Sequence, residues 1–466
     1  MGRRGRMMDH DLIVVGGGAA GLGAVRAALW AGAEVALITD SAPGGDCTFG
    51  GCVPSKTLLA AARDGLGFSE AMARVRSTVA HVAATESVEV LQNEGVTVIE
   101  GRARLTTHDT VAVGDRRITA PRVVLATGSM PALPDDVPGL TEAQPLTNET
   151  VFDLTEAPES LGIIGGGATG CELAQAFGIL GVEVTLFEQG PQLLPSEDSE
   201  AAALVSEALG GRFGVAMRLD TRVEAVEPAA GGGVAVRTSC RDGATDGAPV
   251  VCERLLAATG RVPVTDGLGL DEMRVKLDRR GHVITNDRMM TSLRGVFAAG
   301  DVTGRAFLSH AADEMGRIAA GNALGRGLRA RFRGETVPRV VFTDPEVASV
   351  GVARADAPTG SRVAYLPLAE VDRAIADGRT DGFIAIVAGP RSLLRYAGGG
   401  RIVGATIAAP RAGEMIQEVV LAMHTGAFAG RLAQTSHAYP TWSNGVQKAA
   451  AQFFGDVEGR RARRVD

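Results

Sequence analysis

Aromatic residues are scarce in this chain, at 4% of its 466 positions. A surface that stacks the bases of single-stranded nucleic acid therefore has little to be built from. The five cysteines, Cys47, Cys52, Cys171, Cys240 and Cys252, form an odd and sparse set, which excludes a disulfide framework. Nothing in their spacing, alone or with histidine, matches a metal site. No run of about 18 apolar residues occurs, so no membrane-spanning helix is expected. The opening MGRRGRMMDHDLIVV also has no apolar stretch of signal-peptide length. The formal net charge is only −7 and is spread along the chain, which argues against polyanionic partners. Two small basic clusters, Arg3, Arg4 and Arg6 at one end and Arg460, Arg461, Arg463 and Arg464 at the other, read as solvated ends. These exclusions leave the expectation of a cytoplasmic protein with neither a nucleic-acid nor a membrane partner.

Glycine, by contrast, is abundant: 62 residues, in a chain long enough for two or three domains. Part of that glycine belongs to an internal repeat. Val14 to Asp40 reads VVGGGAAGLGAVRAALWAGAEVALITD, and at an offset of 149 Ile163 to Gln189 reads IIGGGATGCELAQAFGILGVEVTLFEQ, with ten of 27 positions identical. Each copy runs apolar strand, G-x-G-x-x-G, helix, second apolar strand, which is the context a dinucleotide fingerprint requires. Gly16 and Gly165 permit the tight turn, and Gly18 and Gly167 let the backbone approach a pyrophosphate. Gly21 and Gly170 let the helix pack closely, its N-terminus aimed at the negative charge. Two framed copies make chance a poor explanation.

The copies differ where selectivity is decided. Glu188 ends the second strand of the second copy, a carboxylate suited to the free 2′-hydroxyl of NAD and repelling the 2′-phosphate of NADP. The first copy has Thr39 in that slot and Asp40 beside it. Asp40 is the favoured ribose contact, with a Thr39 hydrogen bond as the alternative.

After the first copy comes GGDCTFGGCVPSKTLLAAA, which places Cys47 and Cys52 at the mouth of a helix expected from about Gly51 to Arg63. Cα atoms five residues apart in a regular helix lie about 8.7 Å apart, whereas a disulfide needs roughly 7 Å or less. Bridging the pair therefore requires an irregular first turn, and strained accessible disulfides are the labile ones. A helix N-terminus favours thiolate, and Lys56 adds positive charge one turn on. The remaining cysteines read as small apolar residues.

These residues, with VVLATGSMP, GGGATGCELAQAF, AATGRVP, TSLRGVFAAGD and RVVFTDPEVASVG, resemble the class I pyridine nucleotide-disulfide oxidoreductases: mercuric reductase, dihydrolipoamide dehydrogenase and glutathione reductase. Within that group the pattern is most similar to mercuric-reductase-like members. The resemblance covers almost the whole chain and implies an α/β fold of two Rossmann-like domains plus an α+β C-terminal dimerisation domain. It places FAD binding in 1–147 and 278–336, NAD binding in 148–277 and a homodimer interface in 337–466. Cys52 is then the thiolate against the flavin and Cys47 the interchange thiol. Lys56 and Glu172 form an ion pair beside the flavin, and Asp301 holds the ribityl–phosphate region. Ala103, Thr127, Gly128, Ser309, Val223 and Gly260, with Lys56, join the cofactor contacts. The implied cofactors are FAD and NADH, with NADPH disfavoured, and no metal.

One departure concerns the acceptor. Thiol-exchanging members carry His-Pro-Thr with a Glu four residues after the Pro, whereas this chain reads His437-Ala438-Tyr439-Pro440-Thr441 and then Asn444. Mercuric reductases have Tyr in that slot, but also an N-terminal metal-binding module and a C-terminal cysteine pair, and this chain ends GRRARRVD. A phenol titrates near pKa 10 in solution, about three units too high for a base at neutral pH. His437 reads as an interface histidine first and as a displaced base second. The expectation is an NADH-dependent flavoprotein reducing a small molecule: a disulfide, a metal ion, a quinone or another electrophile. The alternatives are a lipoamide-type dehydrogenase with a displaced base, and a redox sensor that does not turn over.

Overall fold

The computed structural model describes residues 8–240, 247–325, 330–390 and 396–465. The Arg3, Arg4 and Arg6 cluster lies outside them. The chain divides into two compact units, one of Met1–Pro134, Leu146–Ala157 and Thr259–Gly334, the other of Asp135–Pro145, Pro158–Ala258 and Glu335–Asp466.

The first unit is built on a five-stranded parallel sheet in the order Val296–Ala298, Val123–Leu125, Leu12–Val15, Val35–Thr39, Thr97–Glu100. Leu12–Val15 and Val35–Thr39 are buried along their whole length, as apolar runs in a doubly covered parallel sheet must be. The helix Ala19–Trp30 makes the crossover between them. It lies unusually close to the helix Ser309–Leu324, because a Cβ on Gly316 would sit 2.0 Å from the Ala20 carbonyl oxygen. An antiparallel meander of Ala103–Thr107, Thr110–Val113 and Arg116–Thr119 packs on the same core through Leu105, Val111 and Ile118. The edge strand Val296–Ala298 comes from a segment far along the chain, so this unit is discontinuous in sequence.

The second unit repeats the plan. Its parallel sheet runs Ala216–Arg218, Glu183–Phe187, Ser160–Ile164, Arg254–Ala257. Its crossover helix, Ala168–Ile179, starts and stops 149 residues after its counterpart Ala19–Trp30, the offset of the sequence repeat. The same unit holds a six-stranded antiparallel sheet, ordered Arg339–Val341, Glu346–Gly351, Arg401–Ala409, Phe383–Gly389, Arg362–Pro367, Arg463–Arg464. Helices Ala412–His424 and Ser443–Ala451 cover it, burying Ile416, Val419, Val446 and Ala449 against Ile384, Ile386 and Ile407.

The last strand qualifies one expectation. Arg461, Arg463 and Arg464 are exposed, as solvated ends should be, although the backbone of Arg463 and Arg464 pairs with Val363 and Arg362. Arg460 alone departs, with two 2.6 Å bonds to Glu370 in a bidentate pair that a count of charges does not reveal.

Candidate active site

Both fingerprint turns have the backbone the motif predicts. Gly16 and Gly165 sit at φ +107° and +109°, and a Cβ on Gly16 would lie 2.2 Å from the Ala126 carbonyl oxygen. A Cβ on Gly21 or Gly170 would strike the carbonyl of Gly16 or Gly165, at 1.8 and 1.9 Å. Gly18 and Gly167 cap the two helices with extended backbone and no side-chain hydrogen bond, and the space in front of Gly167 is open to 4 Å. Uncapped N–H groups facing an open cradle are what a pyrophosphate needs, so each cradle fits the pyrophosphate of a dinucleotide such as FAD or NAD.

At the end of the second strand the copies part. Glu188 is buried, and its two oxygens accept 2.7 Å bonds from the backbone N–H of Gly166 and Gly190. In the first copy Thr39 is buried and turned on its own chain, donating to the Ser41 carbonyl at 2.8 Å and accepting from the Ser41 N–H at 3.4 Å. Asp40 lies outside, 3.5 Å from Arg102, with more than half of its side chain exposed. Among the other expected cofactor residues, Thr127 donates to the Val264 carbonyl at 2.6 Å. Gly128 and Gly260 both have positive φ. Ala103 is buried at the start of its strand, and Val223 is packed with Leu140, Phe187 and Val236 in the second unit.

The cysteine loop breaks as its spacing requires. Cys47 lies in the short helix Gly45–Phe49 and Cys52 opens the helix Cys52–Arg63. Gly51 between them sits at φ −117°, ψ −114°, outside helical geometry. Both residues are present as thiols, Cys47 half-buried and Cys52 exposed. Ser309 lies 3.4 Å from Cys52 Sγ. Hydrogen bonding to Cys52, then burial, then the charge of Cys52 push the Cys47 thiol far above its ordinary range, and Ser309 acts the other way. A negative charge on Cys52 therefore holds back the ionisation of Cys47. Lys56 extends from the same helix with its Nζ 3.3 Å from Ser55 Oγ. In the second unit Glu172 is 3% exposed and accepts the Phe342 N–H at 2.9 Å.

Asp301 follows the edge strand, half-buried, with desolvation pushing its carboxyl above the usual range. It accepts a 2.7 Å bond from Ser129 Oγ. Ser129 in turn receives Arg261 Nε at 2.7 Å, and Arg261 reaches Asp46 at 3.3 Å. Sequence reasoning missed Ser129, Arg261 and Asp46 as functional, although each lies inside a motif singled out for other residues.

The C-terminal arm separates the two candidate bases. His437 has both ring nitrogens occupied: Nδ1 lies 2.8 Å from the Thr435 carbonyl and Nε2 lies 2.7 Å from Glu418. The carbonyl can only accept, so Nδ1 is the donor there, and Nε2 faces the Glu418 carboxylate. Burial raises the Glu418 carboxyl and His437 lowers it in part. Tyr439, two residues on, is 71% exposed. Asn444, in the slot of the missing glutamate, donates to Gln447 Oε1 at 3.1 Å, and Gln447 donates to the same Thr435 carbonyl at 2.7 Å. The arm is therefore a hydrogen-bonded scaffold that presents Tyr439 outward.

Two dinucleotide cradles and a thiol pair at a helix mouth define a flavin- and nicotinamide-dependent thiol/disulfide redox protein. Comparison with known proteins says the same. Residues 10–316 match the model of the pyridine nucleotide-disulphide oxidoreductases, and residues 337–450 match the dimerisation domain of that family. The chain is 33% identical to a dihydrolipoyl dehydrogenase of Thermus scotoductus, over 95% of this chain and 97% of that one. It is 32% identical to a mercuric reductase of Bacillus cereus, over 96% of this chain and 72% of that one. Among solved structures, LpdA from Mycobacterium tuberculosis superposes with a TM-score of 0.84 at 31% identity, covering 96% of this chain and all of that one. The HOCl-induced flavoprotein disulfide reductase RclA from Escherichia coli has a TM-score of 0.83 at 27% identity, covering 95% and 99%.

The chain belongs to the pyridine nucleotide-disulphide oxidoreductase family. It is an enzyme, a flavoprotein with FAD and NAD(P)H as cofactors, a redox-active cysteine pair and a dimerisation domain. Relatives named for lipoamide and for mercury are equally similar, so similarity alone does not name the acceptor. Among the described residues no helix is long and apolar enough to cross a membrane.

Proposed function

We propose that the protein is a homodimeric NADH-dependent reductase whose thiol pair delivers electrons to an acceptor outside the disulfide class, a metal ion or a quinone. The observation that carries this is the state of the two candidate bases: Tyr439 stands exposed in the slot where thiol-exchanging members place histidine, and His437 has no ring nitrogen to spare. Reduction of a disulfide expels a thiolate that must be protonated, and a general acid–base group is worth roughly 10²- to 10⁴-fold in rate. A metal ion or a quinone is reduced without a thiolate leaving. The names of the mercuric reductases, and the solution of RclA as a Cu(II) complex, agree with such acceptors in this family.

The bound FAD supplies a two-electron carrier between the nucleotide and the cysteines. The protein's part is binding and placement. Gly16, Gly18 and Gly21 present the first cradle, and Gly165, Gly167 and Gly170 the second. Glu188, already ordered by two backbone N–H groups, offers its remaining lone pairs to the adenosine ribose, which favours NADH. NADH gives up a hydride, and with one proton from solvent a Cys47–Cys52 disulfide becomes two thiols. Reoxidation of the pair re-forms the disulfide and passes two electrons to the acceptor; the two protons go to the oxygens of a quinone or, with a metal ion, to solvent. Tyr439 can donate a hydrogen bond to an acceptor oxygen. An acceptor screen on purified protein, read as NADH consumption, tests the reading. Sustained turnover with quinone or metal and little with lipoamide supports it, whereas a single reduction with no turnover on any acceptor would make the protein a sensor.

A further inference from the structure

Asp46 directly precedes Cys47, and its carboxylate is at the centre of a local network. Oδ1 accepts a 2.7 Å bond from Asn148 Nδ2, and Oδ2 lies 3.3 Å from Arg261 Nη1. The Asp46 carbonyl accepts the Gly50 N–H at 2.9 Å, and Asn148 also donates to the Gly50 carbonyl at 3.2 Å. A Cβ on Gly50 would lie 3.0 Å from Asp46 Oδ1, and one on Gly51 would lie 2.9 Å from the Asp46 carbonyl oxygen, so Asp46 fills the bend between the two cysteines. Arg261 is held from behind, donating to the Ser129 hydroxyl and carbonyl at 2.7 and 2.9 Å. The guanidinium thus stands between Asp46 and Asp301, whose Oδ2 lies 3.7 Å from Nε.

We propose that Asp46 and Arg261 are a positioning pair that fixes the short helix carrying Cys47 and sets the reactivity of that thiol. The inference rests on the reading of Cys47 as the thiol that meets the acceptor. Left alone, a carboxylate one residue from Cys47 would hold back formation of a second negative charge there, and the guanidinium offsets it. Arginine suits the place because its planar fork can bind Asp46 and Ser129 at once. The other groups acting on Cys47 in this unit are Cys52 and Ser309, and Glu86 accepts the hydroxyl of the next residue, Thr48, at 3.1 Å.

The test is the alkylation rate of Cys47 by iodoacetamide in NADH-reduced holoenzyme, followed by mass of the Cys47 peptide from neutral to alkaline pH. Asp46→Asn should speed the reaction near neutral pH by about three- to tenfold and move the profile to lower pH, after allowance for solvent screening of a partly exposed charge. Arg261→Gln should slow it by a similar factor and move the profile the other way, and Arg261→Lys should restore most of the wild-type rate. Loosened packing alone would shift the first two variants in one direction, so a common sign, or no change in either, overturns the inference. Asp46→Asn, near-isosteric, carries the test alone if Arg261→Gln fails to fold. Alkylation of Cys52 in place of Cys47 in the reduced wild type would overturn the order of the thiols, and this inference with it.

Discussion

The two nucleotide-binding copies share a turn to within a few degrees of φ and differ in what closes it. In the second, the Glu188 carboxylate is clamped by Gly166 and Gly190, the two backbone donors nearest the cradle. In the first, Thr39 takes the place of Glu188 and Ser41 that of Gly190, joined by a longer bond, and the carboxylate is displaced to the exposed Asp40. The turn is held in both copies where a Cβ would meet backbone, within about 2 Å at Gly16, Gly21 and Gly170. The strand end carries no such steric constraint, and it is there that the two copies differ.

The largest effects should come from filling the cradles one at a time. Gly21→Ala puts a methyl against the Gly16 carbonyl, an overpacking cost of roughly 1–3 kcal/mol or more, and the purified protein should lose its yellow colour. Gly170→Ala should keep the colour, losing reduction by NADH while dithionite still bleaches the flavin. If Gly170→Ala also emptied the flavin site, the two cradles would not be the separate sites their geometry describes. A middle-sized effect is expected at Glu188. Charged hydrogen bonds are worth about 1.5–3 kcal/mol, roughly 10- to 150-fold, so Glu188→Arg should shift kcat/KM from NADH toward NADPH by an amount in that range. Equal efficiency of the wild type with both nucleotides would contradict the role given to Glu188. The smallest effect belongs to Asp40→Ala. An exposed pair such as Asp40 with Arg102 contributes about 0–1 kcal/mol, so FAD retention measured by dialysis should change by less than about tenfold. A larger loss would show that Asp40 turns inward to the FAD ribose, making the copies more alike than this structure draws them.

How far the sequence revealed this depends on how local each feature is. Both cradles, both crossover helices and the break between Cys47 and Cys52 were legible because glycine geometry and helix rise act over a few residues. Asp46, Ser129 and Arg261 were in plain sight inside the quoted motifs, but their partners are far along the chain: Asp301 lies 172 residues beyond Ser129, and Arg261 lies still farther from Asp46. The same holds for His437. Its sequence neighbours suggested a base or an interface residue, and the structure adds its pairing with Glu418, 19 residues upstream on the helix Ala412–His424. Of the C-terminal arginines, Arg460 alone was misread for the same reason, since its partner Glu370 lies 90 residues before it. Tyr439 was readable as a departure, and what the structure adds is its exposure.

The central claim, that electrons leave through Cys47 and Cys52 without help from a histidine base, is tested most directly by stopped-flow comparison of the two half-reactions. NADH should reduce the wild-type flavin quickly, giving a long-wavelength band that requires the Cys52 thiolate. Reoxidation by lipoamide should be slow and reoxidation by a quinone or metal ion fast. Tyr439→His with Asn444→Glu, which supplies a base and a group to orient it, should raise the lipoamide rate by about 10²-fold or more. Rapid wild-type reoxidation by lipoamide, abolished in His437→Ala, would contradict the account and make His437 the base despite its two occupied nitrogens.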